Sequence, residues 1–377
     1  MPAVVLVERD LRLDFFRGLS LWLLFLDQLP AAVVSSFAIR SYGFSDATEI
    51  IVFVFGYTAG FVYGALMRER GFLVGTANIL RRVWQVYVVH VFLFVFYIAE
   101  IAYVSRRFDN PLFAEDTNIF EFLHRPDVAL FEGLILNFKP VHMDVLPLYI
   151  LLLVAFAPLL WVLLRRPILG LAASAALYGL SRKFGWNLPA YPAGEWPLNP
   201  FAWQLLFVLA AWCGLGLPRK FEVLIHSRMV LAFAAVWLVA SLAVVTALSS
   251  PRASGYLPSW LINAIYPIDK TDLDPVRLVH FLALAVVAIQ LVPADWAALK
   301  SRALRPVVLC GRHLVEIFCV GVFLTFAAQS VFVEIADNVP VHLLAGLSGI
   351  LVMSAVAQLI AWLEPMAGGK RPRAAGA

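Results

Sequence analysis

Residues 12–30 read RLDFFRGLSLWLLFLDQLP. The apolar run has the length of a membrane-crossing helix, which needs about 20 residues. Yet it carries Asp14, Arg17 and Asp27, and charge inside hydrocarbon is costly. Composition decides that the run belongs to a membrane protein. Of the 377 residues, 62% are hydrophobic and only 14% charged, too little polar material to cover a soluble domain of this size. The fold class expected is an all-α integral membrane protein, a polytopic bundle of about ten transmembrane helices.

Hydropathy places the spans at 15–37, 46–67, 80–104, 144–164, 167–182, 201–217, 228–248, 276–294, 305–334 and 340–363. The N-terminal residues MPAVVLVERDLRLD lack a cleavable signal pattern. With the N-terminus inside, the inner segments hold about two thirds of the 29 Lys and Arg, as the positive-inside rule requires. Examples are Arg68, Arg70, Arg165, Arg166, Arg302 and Arg305. This predicts both termini in the cytoplasm, a membrane domain over 1–366 and a disordered cytoplasmic tail over 367–377. The long polar stretches 105–143, 183–200 and 249–275 then fall outside, where a large polar partner would be handled. Cys213, Cys310 and Cys319 lie in apolar runs and fit neither a disulfide framework nor a metal site. No basic patch is interleaved with aromatics, so nucleic acid is excluded as a partner. The lipid bilayer is one partner, and the sequence leaves a homo-oligomer open.

The buried polar residues carry the chemistry. Arg17 shares a helix face with Asp14. It is either a snorkelling end residue with its counter-ion or a contact for phosphate or carboxylate. Asp27 lies roughly 15 Å further along the axis, too short-armed to reach a surface. Asp46 and Glu49 open the second span as acids at a helix start and face the same outer side as Asp27. Gly56, Gly60 and Gly64 at four-residue spacing let another helix approach closely. His90 sits mid-span, either as a core residue or as a functional one. His142 and Asp144, in KPVHMDVLPLY (139–149), combine a helix cap with an imidazole suited to general-base work. Trp203 and Gln204, in NPFAWQLLF (199–207), offer an interface anchor or a platform for a sugar face. Arg277 and His280 follow a capped start at Asp274-Pro275, and Arg312, His313 and Glu316 lie in the inner part of the ninth span. No Walker loop, GxSxG, HExxH or dinucleotide fingerprint is present.

Taken in order, RLDFFRGLSLWLLFLDQLP, YGFSDATEIIVFVFGYTAGFVYG, the span with Tyr87 and His90, MDVLPLY and NPFAWQLLF resemble the OpgC family. These are inner-membrane succinyltransferases of osmoregulated periplasmic glucans. In the wider class of multi-span acyltransferases, an Arg is followed eleven residues later by a His. Here Arg17 is followed by Gln28 at that place. The resemblance implies acyl transfer in the bacterial inner membrane, with succinyl-CoA as co-substrate, no permanently bound cofactor and a periplasmic glucan as acceptor. It implies phosphate contacts from Arg17, Arg81, Arg82 and Arg312, catalytic groups among Asp27, His90, His142 and Asp144, and substrate contacts from Asp46, Glu49, Trp203 and Gln204. The alternatives are transfer from another acyl-CoA such as acetyl-CoA, or a transporter or flippase for an anionic metabolite or lipid-linked sugar. A hydrated route from the inner to the outer face is expected to join the two substrates.

Overall fold

The computed structural model of the chain describes residues 10–30, 39–249, 258–293 and 296–366. The tail expected over 367–377 lies outside the described residues. The expected spans all find helices. They are α1 (Leu11–Gln28), α2 (Ala47–Phe108), α6 (Val145–Arg165), α7 (Pro167–Phe184), α8 (Pro200–Gly214), α10 (Arg228–Ser249), α12 (Pro275–Leu291), α13 (Arg305–Arg312), α14 (Leu314–Glu334) and α15 (Val339–Leu363). Short helices complete the order: α3 (Leu112–Asp116), α4 (Phe120–His124), α5 (Pro126–Leu134), α9 (Arg219–Ile225) and α11 (Ser259–Ile265). By length and composition, five helices among the described residues can cross a membrane, or six if α8 and α9, bent by 111°, form one span. The fold is an all-α membrane architecture.

Four boundaries differ from the hydropathy reading. The first helix ends at Gln28, with Leu29 extended, where the expected span ran to 37. The second and third expected spans form one helical run, broken only at Gly71, whose φ of 84° a side chain would resist. The loop expected there shrinks to a single kink, because residues 72–79 continue the helical pattern. The ninth span is two helices, interrupted at His313 with φ −110° and ψ 47°. The stretch 105–143 is not structureless, since α3, α4 and α5 occupy most of it.

α1, α2, α6 and α8 supply much of the buried core, with Phe25, Phe55, Leu153, Phe156 and Trp203 among its residues. Close crossings depend on glycine. A Cβ at Gly56 or Gly60 would overlap the carbonyls of Phe207 or Ala211 in α8, so the glycine stripe of α2 is a helix-packing seam. A Cβ at Gly18 would overlap the Val307 carbonyl, and one at Gly311 the Asp14 carbonyl. α1 and α13 therefore cross backbone to backbone, which brings Arg17 and Arg312 to the same place.

Candidate functional site

Two polar cavities are lined by different stretches of α1, α2 and α6. The first, about 230 Å³, opens at the loop-rich end. Its wall includes Asp27 and Gln28 from the end of α1, Asp46 and Thr48 from the start of α2, and His142 and Asp144 from the approach to α6. Arg40 and Lys270 reach it from loops. The local sequence explains the convergence. Asp46 caps α2, accepting from the Thr48 N–H at 2.8 Å, while Glu49 accepts from the Asp46 N–H at 2.9 Å, a complete capping box. Asp27 stands beside that helix start and receives the Ala47 N–H at 3.4 Å.

Cations hold this acidic group together. Lys270 Nζ is 2.7 Å from Asp46 Oδ2, and Arg277 lies 2.9 Å from the same oxygen. Arg277 also donates through Nε to Glu49 Oε1 at 2.7 Å, and Glu49 is fully buried. Arg40 Nε approaches Asp27 Oδ1 at 3.2 Å. His280 backs the network, its Nδ1 2.7 Å from Ser45 Oγ. His142 adopts φ 71°, a region few non-glycine residues visit and one where functional side chains concentrate. Burial first, then the Lys270 charge, lowers its pKa to about 4, so its imidazole is neutral at pH 7 and can accept a proton. Nearby, burial pushes the Lys139 amine down to about 7 despite Asp144. That amine donates to the Leu136 carbonyl at 3.1 Å and stacks 3.6 Å over the Trp196 ring.

The second cavity, about 240 Å³, lies at the basic end and is lined by Arg17, Arg82, Arg312, Thr58 and Tyr149, among others. Arg17 donates to Asp14 at 2.9 Å and to the Thr58 hydroxyl. Arg312 is paired with Glu364 at 2.7 Å. Phe55 and Tyr149 stack at 3.9 Å in the wall of this cavity. Thr48 lines the first cavity and Phe55 the second, about 10 Å apart along α2. Buried Ile51 and Val52 lie between them. The two cavities share no lining residue. Among the described residues these two cavities are thus set apart on α2 by an apolar layer.

Other expected site residues lie elsewhere. Arg81 is exposed and does not line the basic chamber. Trp203 is fully buried, and its Nε1 donates to the Lys270 and Thr271 carbonyls at 3.1 Å. It holds the Lys270 loop and offers no face to a sugar. Gln204 donates to the Ser174 carbonyl at 2.8 Å and accepts from the Ser174 hydroxyl at 2.6 Å, joining α7 to α8. His90 is fully buried against Phe94, outside both chambers, and neither ring nitrogen has a hydrogen-bond partner among the described residues. Lys270 and Arg40 carry no signal in the sequence, and Arg277 stands out there only as a cation after a helix cap. Each is one cation in a loop or at a helix start, and only the fold places it against an acid.

Comparison with known proteins returned no match among curated proteins or solved structures. The family model described as OpgC protein matches residues 9–365, nearly the whole chain. The membrane bundle and both chambers lie within the matched residues, and the chain belongs to the OpgC family.

Proposed function

We propose that the protein transfers a succinyl group from succinyl-CoA, held at the basic chamber, to a hydroxyl of a periplasmic glucan at the acidic chamber. The family carries a role in glucan modification and an acyltransferase-type activity. The observation that supports the finer reading is the pairing of two polar chambers of opposite character on the same three helices. Arg17, Arg82 and Arg312 offer guanidinium forks for the donor's phosphates. Asp27, Asp46 and Asp144 offer carboxylates that accept hydrogen bonds from sugar hydroxyls. In this reading ten helical segments cross the bacterial inner membrane, both termini are cytoplasmic and the acidic chamber faces the periplasm.

The glucan oxygen attacks the thioester carbonyl. Its proton passes to neutral His142, the new C–O bond forms, and the C–S bond breaks with CoA leaving as thiolate and taking up a proton. Asp27, beside Arg40, orients the acceptor. The thioester has to pass the Phe55–Tyr149 stack, so those rings gate the transfer.

The test is full-length protein in liposomes with labelled succinyl-CoA on the Arg17 side and glucan on the other. Label on the glucan, with one free CoA released per succinyl gained, supports the reading. Passage of intact thioester, or CoA release that ignores the glucan, overturns it. Acetyl-CoA run in parallel decides which acyl group is preferred.

A further inference from the structure

A third concavity, about 720 Å³, lies beside α13 and shares no lining residue with the Arg17 chamber. Its wall includes Arg302, Arg305, Leu309, Gln358, Leu359 and Trp362. Arg302 and Arg305 are exposed and have no ion-pair or hydrogen-bond partner among the described residues. Glu364, the nearby acid at the end of α15, is held by Arg312 at 2.7 Å. The groove thus carries two uncompensated guanidinium groups.

Its other flank is apolar. On α15 the exposed residues Leu344, Leu347, Leu351, Leu359 and Trp362 recur at helical spacing, a stripe that faces lipid in a membrane helix. The stripe runs into the groove at Leu359 and Trp362. Tryptophan at a span end marks the level of the lipid headgroups. The sequence then continues through Lys370, Arg371 and Arg373, a basic cluster directly after a span, of the kind that attracts anionic lipid.

We infer that this groove binds an anionic phospholipid, with its phosphate between Arg302 and Arg305 and its acyl chains along Leu359 and Trp362. Charge complementarity and continuity with the lipid-facing stripe select this occupant. In the proposed function the donor's phosphates are served by the separate chamber lined by Arg17 and Arg82.

The experiment is a lipid titration of the full chain in detergent, read by the melting temperature. Phosphatidylglycerol is compared with phosphatidylcholine of the same chains. Phosphatidylglycerol raises the melting temperature saturably and phosphatidylcholine does not. Each juxtamembrane Arg contributes roughly fivefold in affinity, so R302Q/R305Q weakens the phosphatidylglycerol response about 30-fold. The exposed positions leave the lipid-free melting temperature unchanged, and R302K/R305K retains most of the response. CoA affinity stays as in the parent protein. An equal response to both lipids, or an unaltered phosphatidylglycerol affinity in R302Q/R305Q, overturns the inference. A loss of CoA affinity instead would assign the groove to the donor and overturn it equally.

Discussion

Arg277 donates through Nε to Glu49 at 2.7 Å, across from α12 to the first turn of α2, inside a core where Glu49 has no exposed surface. The same guanidinium reaches Asp46 at 2.9 Å, so one cation fixes both acids of the capping box. Removing one partner of a buried ion pair leaves a stranded charge and costs about 3–5 kcal/mol. Arg277→Met is expected to lower thermal stability in detergent by that order, and Arg277→Lys by less. Pairing the change with Glu49→Gln removes the stranded charge, so the double variant recovers much of the loss. A double variant as unstable as the sum of the two singles would show that the pair does not act as a unit.

The proposed donor chamber makes a contrast between neighbouring arginines. Arg82 lines it and Arg81 does not. Hydrogen bonds to charged groups contribute about 1.5–3 kcal/mol, so Arg17→Ala and Arg82→Ala are each expected to weaken CoA binding by roughly tenfold to a hundredfold in calorimetry. Arg81→Ala is expected to bind as the parent does. Equal weakening by all three variants would show a diffuse basic surface in place of a chamber.

The pH dependence of transfer tests His142. Its imidazole is pushed down to about 4 by burial and by Lys270. A general base must be unprotonated, so the proposed reaction keeps its rate as pH falls through 6.5 and loses it only near 4. Replacing Lys270 by Met removes a nearby positive charge, which raises the His142 pKa and moves the acid limb of kcat/KM upward. His142→Gln is expected to cost about 10²–10⁴ in kcat without loss of folded protein. The same shift acts on stability. Between pH 4 and 6.5 the unfolded chain binds the extra proton, so the His142 contribution to stability falls as pH drops through that window. An acid limb that stays near 6.5 in the parent protein would remove His142 from the role.

Asp27 was the acid that no surface could explain in the sequence, and the structure puts it on a chamber wall with Arg40 and the Ala47 N–H. As an acceptor contact, Asp27→Asn is expected to raise KM for glucan more than it lowers kcat, with CoA binding unchanged. A fall in kcat alone would place Asp27 in proton transfer instead.

Helix positions were legible because apolar length and basic loops are properties of contiguous sequence. The acids at 27, 46 and 144 were visible for the same reason, since charge at the edge of an apolar run stands out. Their cationic partners were not. Lys270 sits in a loop far along the chain from Asp46, and nothing in its own neighbourhood marks it. Trp203 shows the opposite failure. A Trp at a helix entrance reads as a platform, but its ring is buried and its Nε1 is spent on the Lys270 and Thr271 carbonyls. Gly71 and His313 show that breaks set by backbone dihedrals leave little trace in hydropathy.

The apolar layer between the chambers yields the last prediction. Phe55 and Tyr149 stack at 3.9 Å with their planes 13° apart, and both rings are almost fully buried. Under the proposed function this stack keeps water on the acidic side from a thioester on the basic side until an acceptor is bound. Phe55→Ala leaves a void where the ring was, at a cost of about 3–5 kcal/mol in stability. It also opens a path for water. The variant is expected to release CoA from succinyl-CoA without glucan, several-fold faster than the parent, while succinyl gained per CoA released falls. Phe55→Leu fills more of the void and is expected to lie between the two. If Phe55→Ala stays folded, as judged by its elution as a single species in detergent, and still couples each CoA released to one succinyl gained, the stack is a packing contact and the barrier lies elsewhere in the bundle.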